Sequence, residues 1–303
     1  MTGLQMSSYR SDLNVRTTLR RTANRVLCGV LFAGVVLAVA SAVPVSAQEQ
    51  AAQASATAPP ANTTALGKEQ QNPISSMATI PWQMNFNSGG GLEDGTFFLL
   101  NLQPVMPFKV SDGWNMVLRT IVPIVSMPGT DTATRYTGIG DIQEQLYLTP
   151  SRGGAFTWGA GPVVSMPTAM AAPLQTGSWA AGPTFVALVM PGPWVAGAVV
   201  NNVWTFSDAG SATKMNQFLL QPFVNFNFGK GWALSTVPVI TANWDAESGQ
   251  KWTVPVGAGI SRTIVFSGRP MTLALHYYHN VVHPDAAAAN QVRFMVVMLF
   301  PKR

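Results

Sequence analysis

The side chains able to do chemistry are few, and most stand alone in apolar surroundings. Arg119, Asp141, Glu144, Arg262 and Arg293 are the ionisable residues that stand out inside extended stretches. An arginine facing lipid near a bilayer midplane costs roughly 2–4 kcal/mol. If these stretches cross lipid, Arg119 and Arg293 therefore belong on an enclosed face. Arg119 lies one strand away from Asp141 and Glu144, which predicts an internal ion pair. Two roles stay open for it: a charged constriction that selects solutes, or a salt bridge that closes the interior. Asn101, Gln103, Gln217, Gln221, Asn225 and Asn227 add neutral amides, each both donor and acceptor. With Arg119, Asp141 and Arg293 they form the candidate lining of a pore.

Other chemistries find less support. His276, His279 and His283 cluster with Tyr277 and Tyr278. No cysteine or dense carboxylate set completes a metal shell around them, so they read as residues of an outer rim, and no metal is assigned. Ester hydrolysis needs a serine and a histidine in hydrogen-bond reach, with a third group orienting the base. The sequence has no His-x-Ser pair of the outer-membrane phospholipase kind and no Gly-x-Ser-x-Gly. It also lacks a P-loop, a dinucleotide fingerprint and a His-Glu-x-x-His helix. No catalytic residue and no cofactor is expected, and the chain reads as a protein other than an enzyme.

The elements that must position these residues are strands. Hydrophobic residues make up 47% of the 303 residues and charged residues only 10%, against about 25% charged in soluble domains. Much of the surface is thus expected to face something other than water. After residue 74 no apolar run approaches the ~20 residues of a membrane helix. Shorter apolar pieces recur instead, separated by Gly, Pro, Asp, Asn and Ser. They predict about twelve strands, at 79–87, 95–108, 114–125, 138–148, 155–166, 178–190, 194–206, 216–228, 231–243, 251–266, 271–280 and 291–300. Several alternate with a period of two: Phe218, Leu220, Pro222, Val224, Phe226 and Phe228 on one face, Gln217, Gln221, Asn225 and Asn227 on the other. Short connections alternate with longer ones, as periplasmic turns and outer loops do in outer-membrane barrels. Trp82, Phe108, Trp114, Trp158, Trp179, Trp194, Trp204, Trp232, Trp244, Trp252 and Tyr277 fall mostly near strand ends, where membrane interfaces collect aromatic rings. Against this, Pro104, Pro123, Pro162, Pro183, Pro222, Pro238 and Pro255 lie inside expected strands, where each removes a ladder hydrogen bond.

The N-terminus completes the picture of an exported chain. Arg20, Arg21 and Arg25 precede an apolar run over 26–43, and Val45-Ser46-Ala47 is a small-residue cleavage site. The net charge of +5 is largely a property of this region. Arg10, Arg16, Arg20, Arg21, Arg25 and Asp12 all precede Ala47, which leaves 13 basic and 12 acidic residues beyond it. That balance argues against a nucleic-acid partner, which wants a basic patch on the folded domain. The only cysteine is Cys28, inside the expected signal, so thiol chemistry is absent from the mature chain. The expected organisation is a signal peptide at 1–47, a flexible periplasmic segment at 48–73 with a short helix near 65–71, and a barrel at 74–303.

The chain resembles a bacterial family of outer-membrane barrels described as transporters of the phenol meta-pathway (MetA-type), some carrying the label "neuromedin U". The resemblance rests on Asn72-Pro73, Gln103-Pro104-Val105, Arg119-Thr120-Ile121-Val122-Pro123 and Gly138-Ile139-Gly140-Asp141-Ile142. It extends through Trp158-Gly159-Ala160-Gly161-Pro162, Trp179-Ala180-Ala181-Gly182-Pro183 and Phe218-Leu219-Leu220-Gln221-Pro222-Phe223 to Leu299-Phe300-Pro301-Lys302. The chain departs from it at Gln143-Glu144-Gln145, where more apolar residues are expected. The resemblance implies an all-β fold, a transmembrane antiparallel barrel of about twelve strands, and passive transport of small solutes, with apolar or aromatic compounds as a candidate class. Expected partners are outer-membrane lipid and lipopolysaccharide, the barrel-assembly machinery, and an unidentified solute. The competing readings are a closed structural or adhesive barrel plugged by side chains or by 48–71, a lipid-modifying barrel enzyme, and a secreted β-sandwich.

Overall fold

A backbone amide left without a partner in hydrocarbon costs several kcal/mol, so a sheet that crosses lipid must close on itself. The computed structural model has this closure. It describes residues 62–90, 96–129, 134–152, 154, 156–170, 174–208 and 214–301. The strands are β1 (Ala78–Ser88), β2 (Phe97–Leu102), β3 (Val105–Lys109), β4 (Trp114–Pro128), β5 (Arg135–Ile139), β6 (Ile142–Pro150), β7 (Phe156–Met166) and β8 (Ser178–Val189). They continue with β9 (Trp194–Asp208), β10 (Asn216–Gly229), β11 (Trp232–Thr236), β12 (Ile240–Asn243), β13 (Trp252–Phe266), β14 (Arg269–Val282) and β15 (Asn290–Phe300). β2 with β3, β5 with β6 and β11 with β12 each form one interrupted stave, so fifteen segments make twelve staves. Each stave pairs antiparallel with the next in chain order, and β15 returns to pair with β1. This is the transmembrane antiparallel barrel expected from the alternating pattern. The expected signal and residues 48–61 lie outside the described residues.

The two-residue period sets the faces. On β10 Phe223, Asn225 and Asn227 are buried while Val224 and Phe228 are exposed. On β14 Thr272, Ala274, His276 and Tyr278 are buried while Leu275, Tyr277 and His279 are exposed. On these two strands the amides, hydroxyls and imidazole face the lumen and mostly apolar side chains face out, as in a membrane barrel. Aromatic rings gather on the outer face towards both ends. Trp114 meets Trp158 edge-on at 6.1 Å and Trp194 tilts against Phe226 at 4.7 Å near the short turns. At the other end Trp244 and Trp252 meet at 5.4 Å, each also contacting Phe218.

Two of the short turns have a local cause. Lys230-Gly231 and Ser267-Gly268 have positive φ at both positions, the tight hairpin turn whose twist matches that of the flanking strands. The longer connections all lie at the opposite end. β1 begins and β15 ends on the short-turn side, as an even number of staves requires.

The prolines mark places where the ladder is broken. Pro104 separates β2 from β3, and Pro238 lies in the gap between β11 and β12. Pro255 sits at a shift in register between β13 and β14. The two Ala-Gly-Pro repeats act together. Pro162 and Pro183 are directly paired across β7 and β8. On their other sides the β6–β7 ladder skips Leu146 and Tyr147, and the β8–β9 ladder skips Asn202 and Val203. The glycine before each proline permits a close backbone approach: a Cβ on Gly161 would overlap the Leu146 carbonyl, and one on Gly182 the Asn202 carbonyl. Gly161→Ala and Gly182→Ala are each expected to cost roughly 1–3 kcal/mol through overpacking. The check is the urea midpoint of the refolded barrel, followed by tryptophan fluorescence.

Candidate functional site

The lumen is where polar chemistry collects, and residues ahead of the barrel enter it. Helix α1 (Thr63–Gln70) is capped by Asn62, whose Oδ1 accepts from the Ala65 amide at 3.0 Å. Pro73 disfavours helical backbone in the residue before it, and the helix ends before Asn72. α1 seats against the inner wall through Gly67, since a Cβ there would come within 2.5 Å of Thr263 Oγ1. The Gln71 and Asn227 side chains exchange two hydrogen bonds of 3.0 Å. Lys68 Nζ donates to the Met190 and Gly192 carbonyls in a short turn, and Thr64 Oγ1 accepts from the Gly231 amide. Ile74 then reaches a buried apolar cluster of Val105, Val117, Tyr147, Val186, Leu188, Val195, Val199 and Phe223. These side chains come from six staves, so the cluster spans the lumen towards the short-turn end. Leu66 and Met77 pack likewise against Val297 and Leu299.

Beside this plug lies a cavity of about 150 Å³. Gln71, Asn72, Pro73 and Ser75 form its plug side; Gln83, Gln103, Arg119, Gln221, Asn225, Ser235, His276 and Arg293 supply polar groups from the wall. One hydrogen-bonded chain links the two arginines. Arg119 donates to Gln103 Oε1, Gln103 Nε2 to Gln83 Oε1 at 3.4 Å, and Gln83 Nε2 to Asn85 Oδ1 at 3.2 Å. Arg293 Nε donates to the same Asn85 oxygen at 3.0 Å. Arg293 also donates to the Val237 carbonyl at 2.8 Å and to Gln291 Oε1 at 2.9 Å, and lies 4.8 Å over the Tyr278 ring. Tyr278 in turn accepts from the Val237 amide at 3.0 Å. The break in the stave at Val237 is thus held by lumenal side chains.

The expected ion pair does not form. Arg119 lies opposite Gln145, and Thr120 lies opposite Glu144. Directly opposed residues share a face, so Glu144 points outward, where Thr120 Oγ1 bonds both its oxygens at 2.9 Å. An extra residue is inserted nearby: the Gly140 amide donates to the Pro123 carbonyl, whereas Ile121 already pairs with Gln143. This bulge turns Asp141 away from Arg119. Asp141 instead accepts from the Ala169 and Thr176 amides and from Thr176 Oγ1, holding the loop after β7. Among the described residues the only ion pair is Lys109–Asp112, in a short turn.

Of the candidate lining, Gln103, Arg119, Gln221, Asn225 and Arg293 border the cavity. Asn101 and Gln217 share the inward face without bordering it, and Asn227 holds the plug. Sequence reasoning missed Gln83, Asn85, Ser235 and the inward placement of His276. Their signal was the same alternation seen on β10: Gln83, Asn85 and Asn87 recur every second residue on β1. The three histidines are not one group: His276 is 4% exposed in the lumen, His279 faces outward, and His283 lies in the following loop. No set of three metal-ligating side chains occurs among the described residues. Ser235 Oγ and His276 Nε2 are 2.7 Å apart, the spacing of a nucleophile and its base. His276 Nδ1, however, is buried without a partner, so the orienting group of a hydrolytic triad is missing.

No family model and no curated protein matches the sequence. Among solved structures, the COG4313 outer membrane channel from Pseudomonas putida F1 superposes with a TM-score of 0.56 at 13% identity, over 74% of this chain and 94% of that one. The NanC porin gives 0.47 at 10% identity, over 74% and 100% of the two chains. The CymD monoaromatic hydrocarbon channel gives 0.43 at 8% identity, over 80% and 92%. The likeness to the first is one of fold: this chain is built as an outer-membrane β-barrel.

Proposed function

We propose that the protein is an outer-membrane channel for the passive passage of small solutes, closed at rest by residues 62–77. The observation that carries this reading is the cavity inside a closed sheet, bordered by plug residues on one side and by Arg119 and Arg293 on the other. Passage of a polar solute needs hydrogen-bonding groups screened from lipid, and the inward amides offer such groups. The short-turn end, where both ends of the barrel lie, would face the periplasm, as in barrels of this type. The channel role of the Pseudomonas putida barrel supports the reading by analogy of fold.

The plug is held by contacts of a displaceable kind. A hydrogen bond contributes about 0.5–1.5 kcal/mol net, and burying an isoleucine about 1.5–3 kcal/mol. The second reading is a permanently closed structural barrel, and the depth of the Ile74 cluster is the observation that favours it.

Planar-bilayer conductance of the refolded mature chain separates the two. The native chain is expected to show rare, discrete openings. Gly67→Leu, which forces α1 off Thr263, is expected to raise the open fraction at least tenfold. Continued silence from a folded Gly67→Leu barrel supports the closed structural reading instead. Ile74→Asp offers a second route, because an aspartate cannot stay in the apolar cluster without a partner. Its openings are expected to lengthen, while a gating pattern identical to the native one would remove Ile74 from the closing mechanism.

A further inference from the structure

Two guanidinium groups and one imidazole border the same lumenal cavity, and no carboxylate among the described residues answers them. Buried charges are normally paired. Here the arginines are separated by neutral amides: Arg119 bonds Gln103, Arg293 bonds Asn85 and Gln291, and Gln83 bridges the two ends. A guanidinium carries more N–H donors than these bonds use. Arg293 is 2% exposed, so water does not freely solvate the remainder.

The imidazole brings no negative charge to this wall. His276 is 4% exposed and its Nδ1 has no partner. Its Nε2 lies 2.7 Å from Ser235 Oγ. Both ring nitrogens are thus withdrawn from the cavity, one by the serine and one by burial. The two arginines alone give the cavity wall its surplus of N–H donors and positive charge, the complement of an anion.

The rest of the wall says what kind of anion. Val105, Val199, Phe223, Met295 and Val297 line the same space. A fully hydrated inorganic ion makes poor use of such walls. At about 150 Å³ the cavity has the size of an engineered protein cavity that admits benzene. We infer that the lumenal cavity binds a small carboxylate with an apolar body, its oxygens held by Arg119 and Arg293. A planar carboxylate matches the fork of a guanidinium, and the apolar body would lie against Val199, Phe223 and Val297. The inference rests on the channel reading for its biological meaning, since it names the solute class of that same lumen. The binding event itself does not depend on passage.

The test is equilibrium titration calorimetry on the full mature chain, refolded in detergent micelles, with benzoate as the probe. Benzamide, a neutral molecule of nearly the same shape, is the control. One benzoate per chain is expected, with benzamide at least tenfold weaker and inorganic phosphate unable to displace benzoate at equal concentration. Arg119→Gln is expected to weaken benzoate at least tenfold. Arg119→Lys gives a second handle should Arg119→Gln not fold, and is expected to weaken it severalfold because the guanidinium fork is lost. Equal affinity for benzoate and benzamide, displacement by phosphate, or no binding at all would each overturn the inference. Conductance stays out of this measurement. A barrel that binds benzoate but never opens defeats the channel reading alone, and one that conducts but ignores benzoate defeats only the carboxylate site.

Discussion

A strand inside a closed sheet spends its backbone hydrogen bonds on its two neighbours, and that constraint governs everything else in this molecule. With no edge left over, the side chains alone decide what meets lipid and what meets the lumen. They do so with a period of two, so each stave must place its polar residues on alternate positions or expose them to hydrocarbon. Asn85 and Asn87 on β1, Asn225 and Asn227 on β10, and His276 and Tyr278 on β14 follow this rule. Twelve staves enclose a narrow interior, and the inward residues fill much of it. Neutral amides suit such a space, because they bond one another and the arginines without adding charge to be desolvated.

Much of this was legible from the residues. Alternation along 216–228 gave both faces of β10, and the rhythm of short and long connections gave the pairing of successive staves. Tryptophans near strand ends marked the two interfaces. The prolines looked like objections to the strands around them, yet they mark where the ladder is interrupted. Pro162 and Pro183 confront each other across β7 and β8, which no local pattern announces. Register was the harder matter. Arg119 and Glu144 occupy adjacent staves, but a bulge beside Gly140 and the pairing of Thr120 with Glu144 send the carboxylate outward. A single inserted residue decides which charges meet, and its position depends on long-range closure.

Residues 62–77 show a different limit. The sequence groups 62–73 with a polar flexible segment, and composition alone supports that. What positions them is the complementarity of particular pairs: Gln71 with Asn227, Gly67 with Thr263, Ile74 with a cluster drawn from six staves. The pairs Gln71–Asn227 and Gly67–Thr263 span more than 150 residues of chain, as the separation of 156 between Gln71 and Asn227 illustrates. The same segment borders the cavity that Arg119, His276 and Arg293 border, so the plug and the proposed solute site share one wall.

The central claim is that solutes pass only when the plug leaves the wall, and one cross-link tests it directly. A Cβ on Gly67 would lie 3.4 Å from Thr263 Cβ, close to the about 3.5–4.5 Å separation of a disulfide, and a chain produced from Gln48 onward has no competing thiol because Cys28 is the only cysteine. The measurement is bilayer conductance of the Gly67→Cys, Thr263→Cys double variant before and after reduction. The account predicts silence while the disulfide is closed and discrete openings once it is reduced. Openings that persist with the disulfide intact would contradict it.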